Sequence, residues 1–301
     1  MKIVNVLFVV AFGILLSCST PEKETPSGMK FKVLKKGDGV LPKPGEVVVF
    51  NFEFIDSKDS IWAETKSGLP AAVLTNDSSA IASEDGMTQM LRMVSKGDSV
   101  VVSMPISKFF SDLVKAPIPA GVDSTLTLTY RIRIDTMMSQ ENFMTYQMEL
   151  TNKMSSVQLE KDIAIIDKYL SDNNIDAVKV ESGLRYVITQ LGTGSNAASG
   201  QSVKVNYSGY LLDGQYFDTS VQSVAVDKNL LNPGREYVPY DVIIDETSVI
   251  SGWHEALKYM NVGAKGTFYI PSTLAYGPQQ RSAVIKENSI LVFDLEVTEI
   301  K

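Results

Sequence analysis

Cysteine and histidine are almost absent from this sequence. The 301 residues include one cysteine, Cys18, and one histidine, His254. A single cysteine excludes an intramolecular disulfide, and a zinc site built from His and Cys needs several such ligands. The sequence therefore predicts a fold without disulfides, and no metal site.

An excess of positive charge is also lacking. The chain carries 28 Lys and Arg against 35 Asp and Glu, which gives a net charge of -7 and a pI near 4.9. Proteins that bind nucleic acid usually present a basic surface, so we do not expect a nucleic-acid partner. With 44% hydrophobic and 21% charged residues, the composition is that of a folded protein.

The longest apolar run lies at the N-terminus, from Ile3 to Leu16, and is too short to span a bilayer. It ends in Leu-Leu-Ser-Cys, which resembles the lipobox of bacterial lipoproteins. We therefore expect a signal peptide over 1–17, lipidation of Cys18 and a polar tether over 18–29. That expectation places the protein in the bacterial cell envelope, anchored at Cys18 and facing the periplasm or the cell surface. A plain secretory peptide with an incidental cysteine is the alternative.

Glycine and proline are missing from residues 122–182. Apolar residues recur there at mostly helical spacing, which predicts one long helix or two within a connector over 139–180. The residues of this stripe are Phe143, Leu150, Met154, Val157, Leu159, Ile163, Ile166 and Leu170. The stripe packs either on its own chain or on a second copy, so a homodimer through residues 139–172 is one possibility.

The regions on either side of the connector repeat one plan. The segment GEVVVFNFEFIDSKDSIW parallels GQSVKVNYSGYLLDGQYF, and GMTQMLRMVSKGDSVVVSMP parallels GWHEALKYMNVGAKGTFYIP. Alternating apolar residues between Gly-containing turns predict antiparallel β-structure in both copies. We therefore expect two domains of one fold, over residues 30–138 and 181–301.

The C-terminal copy resembles the FKBP family of peptidyl-prolyl cis-trans isomerases. The resemblance is carried by VNYSGYLLDGQYFDTS, VISGWHEALKYMNVGAKGTFYIPSTLAYG and ILVFDLEV, in the order of the family. It implies an α+β fold in which a bent antiparallel sheet of five or six strands wraps around one short helix. It also implies isomerisation of X-Pro bonds in exported polypeptide clients. Such rotation breaks no covalent bond, so no cofactor is expected.

The resemblance also implies a set of cleft residues. Those expected to act on the substrate are Tyr207, Phe217, Asp218, Ile250, Trp253, Tyr276 and Phe293, and those expected to line the substrate site are Tyr240, Val242, Val249 and Ile285. Trp253 would form the floor, since an indole offers a large flat apolar surface to a proline ring. The backbone N–H of Ile250 and the hydroxyl of Tyr276 would bind substrate carbonyls.

The N-terminal copy departs from this pattern. The corresponding positions hold Phe52, Trp62, Ala63, Met87 and Phe110, so the carboxylate and the indole floor are both missing. We expect a degenerate FKBP-like domain that binds polypeptide or packs structurally. A second hypothesis for the whole chain is a non-catalytic surface lipoprotein that uses both folds as a scaffold for a partner. Retention of the cleft residues in the C-terminal copy favours the enzyme.

Overall fold

The computed structural model of the protein describes residues 21–65, 69–75 and 78–301. The chain divides into two compact units, Met1–Leu150 and Thr151–Lys301. Each unit contains one seven-stranded antiparallel sheet. The expected signal peptide, Cys18 and the first residues of the expected tether lie outside the described residues.

The first unit contains strands β1 to β7. Its strands are β1 (Glu22–Glu24), β2 (Lys30–Lys35), β3 (Glu46–Asp56), β4 (Ile61–Glu64), β5 (Ala71–Leu74), β6 (Ser99–Pro105) and β7 (Thr127–Ser139). Its helices are α1 (Gly86–Leu91) and α2 (Ile106–Lys108), with a 3-10 turn at Ser78–Ser83 and a π turn at Phe109–Val114. The strand order is β1-β2-β6-β7-β3-β4, and β5 also pairs with β3.

The second unit has the same connectivity. Helix α3 (Gln140–Asp172) begins in the first unit and ends in the second. The other elements are β8 (Val178–Lys179), β9 (Arg185–Gln190), β10 (Ser202–Leu211), β11 (Tyr216–Thr219), α4 (Gln222–Asp227), β12 (Tyr240–Ile243), α5 (Ser251–Leu257), β13 (Lys265–Ile270), a 3-10 turn (Ser272–Leu274) and β14 (Leu291–Ile300). The order is β8-β9-β13-β14-β10-β11, and β12 also pairs with β10.

Irregularities in the ladders fall at matching places in the two sheets. The pairing of β10 with β11 shifts between Gly209 and Tyr210, and the pairing of β3 with β4 shifts between Phe54 and Ile55. Bulges re-aim side chains, so a shared bulge aligns the two copies residue by residue. The repeat predicted from sequence is confirmed. Each sheet has seven strands rather than five or six, because short strands such as β1 and β8 extend its edge.

Folded structure begins earlier than the expected tether allowed. Strand β1 pairs antiparallel with β2 through a turn in which Thr25 Oγ1 accepts a hydrogen bond from the N–H of Met29 at 3.0 Å. Gly28 lies at a φ of +84° in this turn. The polar composition predicted a linker, but alternating Lys and Glu also suit a solvent-exposed edge strand. The first sheet therefore starts at Glu22 and not near Lys30.

Helix α3 is one uninterrupted helix of 33 residues. Its second half packs on the second sheet, where buried Ile166 and Leu170 contact a cluster that includes Tyr269 and Val292. No helix among the described residues is both long enough and apolar enough to cross a membrane. The predicted helical connector is thus partly a structural element of the second unit.

Two further contacts fix α3 to the second unit. Arg185 Nε donates to Asp167 Oδ1 at 2.8 Å, and this guanidinium holds the pKa of Asp167 below its usual value. Gly183 lies at a φ of +96°, and an added Cβ would lie 2.6 Å from Leu159 of the helix. Strand β8 lies within the predicted connector and pairs with β9, so the second sheet begins before residue 181.

Candidate active site

A cleft of about 510 Å³ opens between α5 and the second sheet. The residues that line it are Tyr207, Phe217, Asp218, Tyr240, Ser248, Val249, Ile250, Trp253, Tyr276, Arg281, Ser282, Ile285 and Phe293. The structure thus brings together ten of the eleven residues expected from the sequence. The exception is Val242, which is fully buried beside Val203 in the core and does not line the cleft. Its register on β12 places it further along the strand than Tyr240.

The floor and walls of the cleft are aromatic. Trp253, the third residue of α5, is 5% exposed and lies edge-on to Tyr207 and Phe293, with ring centroids 5.1 and 5.2 Å away. Phe217 lies edge-on to Phe293 at 5.6 Å. Edge-to-face packing is favourable for aromatic rings and leaves an apolar, water-excluding surface. A proline ring suits such a surface.

Gly209 permits this packing. An added Cβ would lie 2.5 Å from the ring of Phe217 and 2.7 Å from that of Phe293. Contacts this short do not occur in folded proteins, so any larger residue must displace one of the rings. In the first unit the bulge aligns Phe54 with Gly209.

One wall of the cleft carries a network of three polar side chains. The hydroxyl of Tyr207 donates to Asp218 Oδ2 at 2.5 Å. Arg235 donates from Nη1 to Asp218 Oδ1 at 2.5 Å and from Nη2 to the Tyr207 hydroxyl at 3.0 Å. The backbone N–H of Thr219 donates to Asp218 Oδ1 at 2.8 Å. Charge-assisted hydrogen bonds of this kind fix the carboxylate in one orientation.

The network also raises the pKa values of Tyr207 and Arg235. Burial, together with the hydrogen bond to Asp218, raises the pKa of Tyr207 to about 12. The same carboxylate raises the pKa of Arg235 above its usual value. Tyr207 therefore stays a neutral donor and Arg235 a cation throughout the physiological pH range.

Sequence reasoning missed Arg235. It follows the loop residues Asn232, Pro233 and Gly234 and lies 17 positions after its partner Asp218. No local spacing links the two residues. The only available indication is a cation in the segment between the predicted cleft residues Asp218 and Tyr240.

Several hydrogen-bond donors at the cleft remain free within the described residues, among them Trp253 Nε1. Within the described residues, the backbone N–H of Ile250 and the hydroxyl of Tyr276 form no hydrogen bond. Ile250 caps the N-terminus of α5, where the first N–H groups of a helix lack internal acceptors. Tyr276 is 36% exposed, and Arg281 lies over its ring at 5.6 Å. Both donors are available to carbonyl groups of a bound peptide.

The described residues of the first unit provide no equivalent cleft chemistry. The alignment at the bulge places Phe52, Trp62 and Ala63 at the positions of Tyr207, Phe217 and Asp218, as predicted. Neither Phe52 nor Ala63 can form the phenol–carboxylate hydrogen bond. Phe54 stacks on Tyr130 with ring centroids 3.9 Å apart.

The aromatic residues at the cleft positions of the first unit pack into one cluster. Phe54, Phe110 and Leu128 belong to one buried cluster, and Trp62 packs against it. Trp62 Nε1 also donates to Asp56 Oδ2 at 3.0 Å, which fixes the orientation of the indole. Phe54 and Trp62, at the positions of Gly209 and Phe217, are therefore both part of this packing.

A family model described as FKBP-type peptidyl-prolyl cis-trans isomerase matches residues 193–298. This range contains every predicted cleft residue. Residues 193–298 form an FKBP-type domain.

Relatives of the FKBP-type domain include two bacterial proteins. An FKBP-type peptidyl-prolyl cis-trans isomerase, FkpA of Aeromonas hydrophila, is 35% identical over 156 residues, which cover 50% of this chain and 52% of that protein. The outer membrane protein MIP of Legionella longbeachae is 30% identical over 161 residues, covering 52% of this chain and 63% of that protein. The chain thus spans about half to two thirds of the length of these relatives.

Solved structures of related proteins include the crystal structure of FkpA from Escherichia coli. It is 27% identical, covers 54% of this chain and 71% of that chain, and superposes with a TM-score of 0.36. A peptidyl-prolyl cis-trans isomerase from Pseudomonas syringae is 28% identical, covers 47% of this chain and 95% of that chain, and gives a TM-score of 0.37.

We expect Gly209→Ala to distort the cleft of the FKBP-type domain, because the added methyl group overlaps the rings of Phe217 and Phe293. Overpacking of this kind costs about 1–3 kcal/mol of folding free energy. Urea unfolding followed by Trp253 fluorescence in a Trp62→Phe background measures the loss. Adding Phe217→Leu should restore part of the stability. A Gly209→Ala protein as stable as its parent would contradict the packing role.

Proposed function

We propose that the FKBP-type domain is a peptidyl-prolyl cis-trans isomerase that acts on proline-containing polypeptides. One observation carries the proposal: the Tyr207–Asp218–Arg235 network faces an aromatic cleft in which Ile250 and Tyr276 also offer free donors. The arrangement suits a peptide that inserts an apolar ring and presents carbonyl groups on either side of it.

The chemistry requires stabilisation of a twisted amide. Rotation about an X-Pro bond passes through a non-planar state about 18–20 kcal/mol above the planar forms, because amide resonance is lost. Interactions that are stronger in the twisted state than in the planar states accelerate the rotation. In the proposed complex the proline ring lies on Trp253, and the Ile250 N–H and the Tyr276 hydroxyl bind carbonyl oxygens. No bond breaks, so the residues of the chain suffice.

The polar network supplies the fixed charges of the site. Asp218 is held by Tyr207 and Arg235, so its orientation need not change during the rotation. Preorganised polar groups in a site of low dielectric constant stabilise a transition state more strongly than mobile groups in water. Arg235 is thus proposed to position Asp218 and to balance its charge.

We expect Asp218→Ala to lower kcat/KM more than tenfold, a loss of about 1.4 kcal/mol or more of transition-state stabilisation. Arg235→Ala should lower kcat/KM less, because the Tyr207 and Thr219 hydrogen bonds to Asp218 remain. Protease-coupled isomerisation of an X-Pro peptide measures both effects.

Asp227→Ala is the matched control, since Asp227 pairs with Lys228 on the exposed surface outside the cleft. The control should keep full activity. An Asp218→Ala protein with unchanged kcat/KM would exclude the proposed role of the network. An inactive wild-type protein would instead favour the scaffold hypothesis, in which both units bind a partner without catalysis.

The proposal extends to the cell envelope. One relative is named an outer membrane protein, and this sequence begins with an apolar run followed by a lipobox-like Leu-Leu-Ser-Cys. We therefore propose a lipid anchor at Cys18, with the FKBP-type domain assisting the folding of exported proteins in the periplasm or at the cell surface. The first unit would serve as a non-catalytic polypeptide-binding or structural domain.

We expect Cys18→Ala to release the protein from membranes or to block its processing. Acyl chains contribute about 0.8 kcal/mol per buried CH₂ group, so their loss removes most of the membrane affinity. Membrane fractionation after a salt wash, with immunodetection of the protein, measures the change. Cys18→Ala protein that stays in the washed membrane pellet in its processed form would rule out the anchor.

We further propose that α3 mediates a homodimer. Met144 and Met148 are 69% and 65% exposed and lie four residues apart on one face of the helix. Adjacent exposed methionines form an adaptable apolar surface that a second copy of the helix can cover. The proposal assigns this pair of methionines to the dimer contact.

We expect the double substitution Met144→Glu and Met148→Glu to convert the dimer into a monomer, because it places charges in the apolar contact. Sedimentation velocity over a concentration series measures the mass. Val226→Glu is the control, since Val226 is 56% exposed but lies on α4. A wild-type protein that sediments as a monomer at all concentrations would refute the dimer.

A further inference from the structure

Helix α3 carries a carboxylate that is buried without a cation. Asp162 is 1% exposed and forms no ion pair within the described parts of the chain. Its Oδ2 accepts hydrogen bonds from the backbone N–H of Ser272 at 2.7 Å and from the Ser272 hydroxyl at 2.5 Å. Its Oδ1 accepts from Gln158 Nε2 at 2.7 Å. Burial of a carboxyl group is costly unless hydrogen bonds satisfy it, and here Ser272 and Gln158 provide them.

Ser272 begins the short segment that carries Tyr276. Its carbonyl oxygen accepts hydrogen bonds from the N–H groups of Ala275 at 2.9 Å and Gly277 at 2.8 Å. These two residues flank Tyr276 on either side. Since the side chain of Asp162 fixes the N–H and hydroxyl of Ser272, it also fixes the carbonyl group that orders the backbone around Tyr276.

The same turn contacts the start of α5. The hydroxyl of Ser251 donates to the carbonyl oxygen of Leu274 at 3.2 Å. A Cβ added to Gly252 would lie 2.4 Å from Ile270 and 3.2 Å from that carbonyl oxygen. Ser251 directly follows Ile250, whose N–H is, like the Tyr276 hydroxyl, a free donor at the cleft. A continuous series of contacts therefore joins Asp162 to both donors.

The described part of the first unit lacks this arrangement. Pro105 at the end of β6 corresponds to Pro271 directly after β13, so Ile106 occupies the position of Ser272. The N–H of Ile106 donates to the carbonyl oxygen of Leu126 at 2.9 Å, within its own unit. The contact between a carboxylate of α3 and the turn after the strand is thus found in the second unit, which has the cleft.

We infer that Asp162 is a positioning residue for the cleft of the FKBP-type domain. From the outer side of the 3-10 turn it holds Ser272, and through Ser272 it keeps Tyr276 and Ile250 at the spacing that the carbonyl groups of a bound peptide require. The helix is thereby part of the active domain. This inference rests on the proposed isomerase activity, and its test includes a measurement that does not depend on catalysis.

The experiment compares Asp162→Ala with Asp167→Asn in the full-length protein. Asp167 lies on the same helix and binds Arg185, but has no hydrogen bond to the turn, so Asp167→Asn weakens helix docking alone. We expect amide hydrogen exchange of Leu274, Ala275 and Gly277 to become at least tenfold faster in Asp162→Ala and to stay unchanged in Asp167→Asn. We also expect kcat/KM to fall at least fivefold only in Asp162→Ala. Asp162→Asn and Ser272→Ala replace Asp162→Ala if that variant does not fold.

A double-substitution measurement completes the test. Because Asp162 acts through Tyr276, the substitution Tyr276→Phe should lower kcat/KM less in the Asp162→Ala background than in the wild type. Unchanged exchange in a folded Asp162→Ala protein overturns the inference, as does fast exchange with unchanged kcat/KM. Equal effects of Asp167→Asn also overturn it. If the wild type has no isomerase activity, the proposed function fails, while the exchange measurement still decides whether Asp162 orders the turn.

Discussion

The structure of the second unit depends on the packing of α5 against the concave face of its sheet. Trp253 from the helix meets Tyr207 and Phe293 from two adjacent strands, and these rings form both the centre of the core and the floor of the cleft. A sheet must bend to cover so short a helix. Phe217 and Tyr240 line the cleft but remain partly exposed, so the aromatic packing does not close the cleft to solvent.

The two units show how one fold can either keep such a cleft or fill it. At one position of the shared bulge the second unit has Gly209 and the first has Phe54. The glycine leaves room for two wall rings, whereas the phenylalanine stacks on Tyr130 and closes the space. The first unit also has Ala63 at the position of Asp218, so it lacks the carboxylate. A filled interior is favoured by burial of apolar surface and needs no polar network.

The long helix contributes to the second unit along its second half. Ile166 and Leu170 provide apolar contact with the sheet, Asp167 pairs with Arg185, and Asp162 reaches the turn after β13. The three contacts differ in kind, since the first buries apolar surface, the second neutralises charge, and the third orders backbone groups next to the cleft. A helix that connects two units in sequence thus also completes one of them.

Local sequence patterns determined much of this architecture. The turn at Asp213-Gly214, the alternation along β10, the helix without Gly or Pro and the repeat of segments are encoded by residues close together in the chain. Ten cleft residues could be named beforehand because three segments of the sequence resemble the FKBP family. Only the tertiary structure decided the pairing of Arg235 with Asp218, the burial of Val242, the strand at Glu22 and the contact of Asp162 with Ser272. The strand at Glu22 pairs with the nearby β2. The other features join segments that are further apart in sequence, and their partners depend on how strands align and helices pack. Periodicity reports which face of an element is apolar, but it does not report which residue of another element will meet that face.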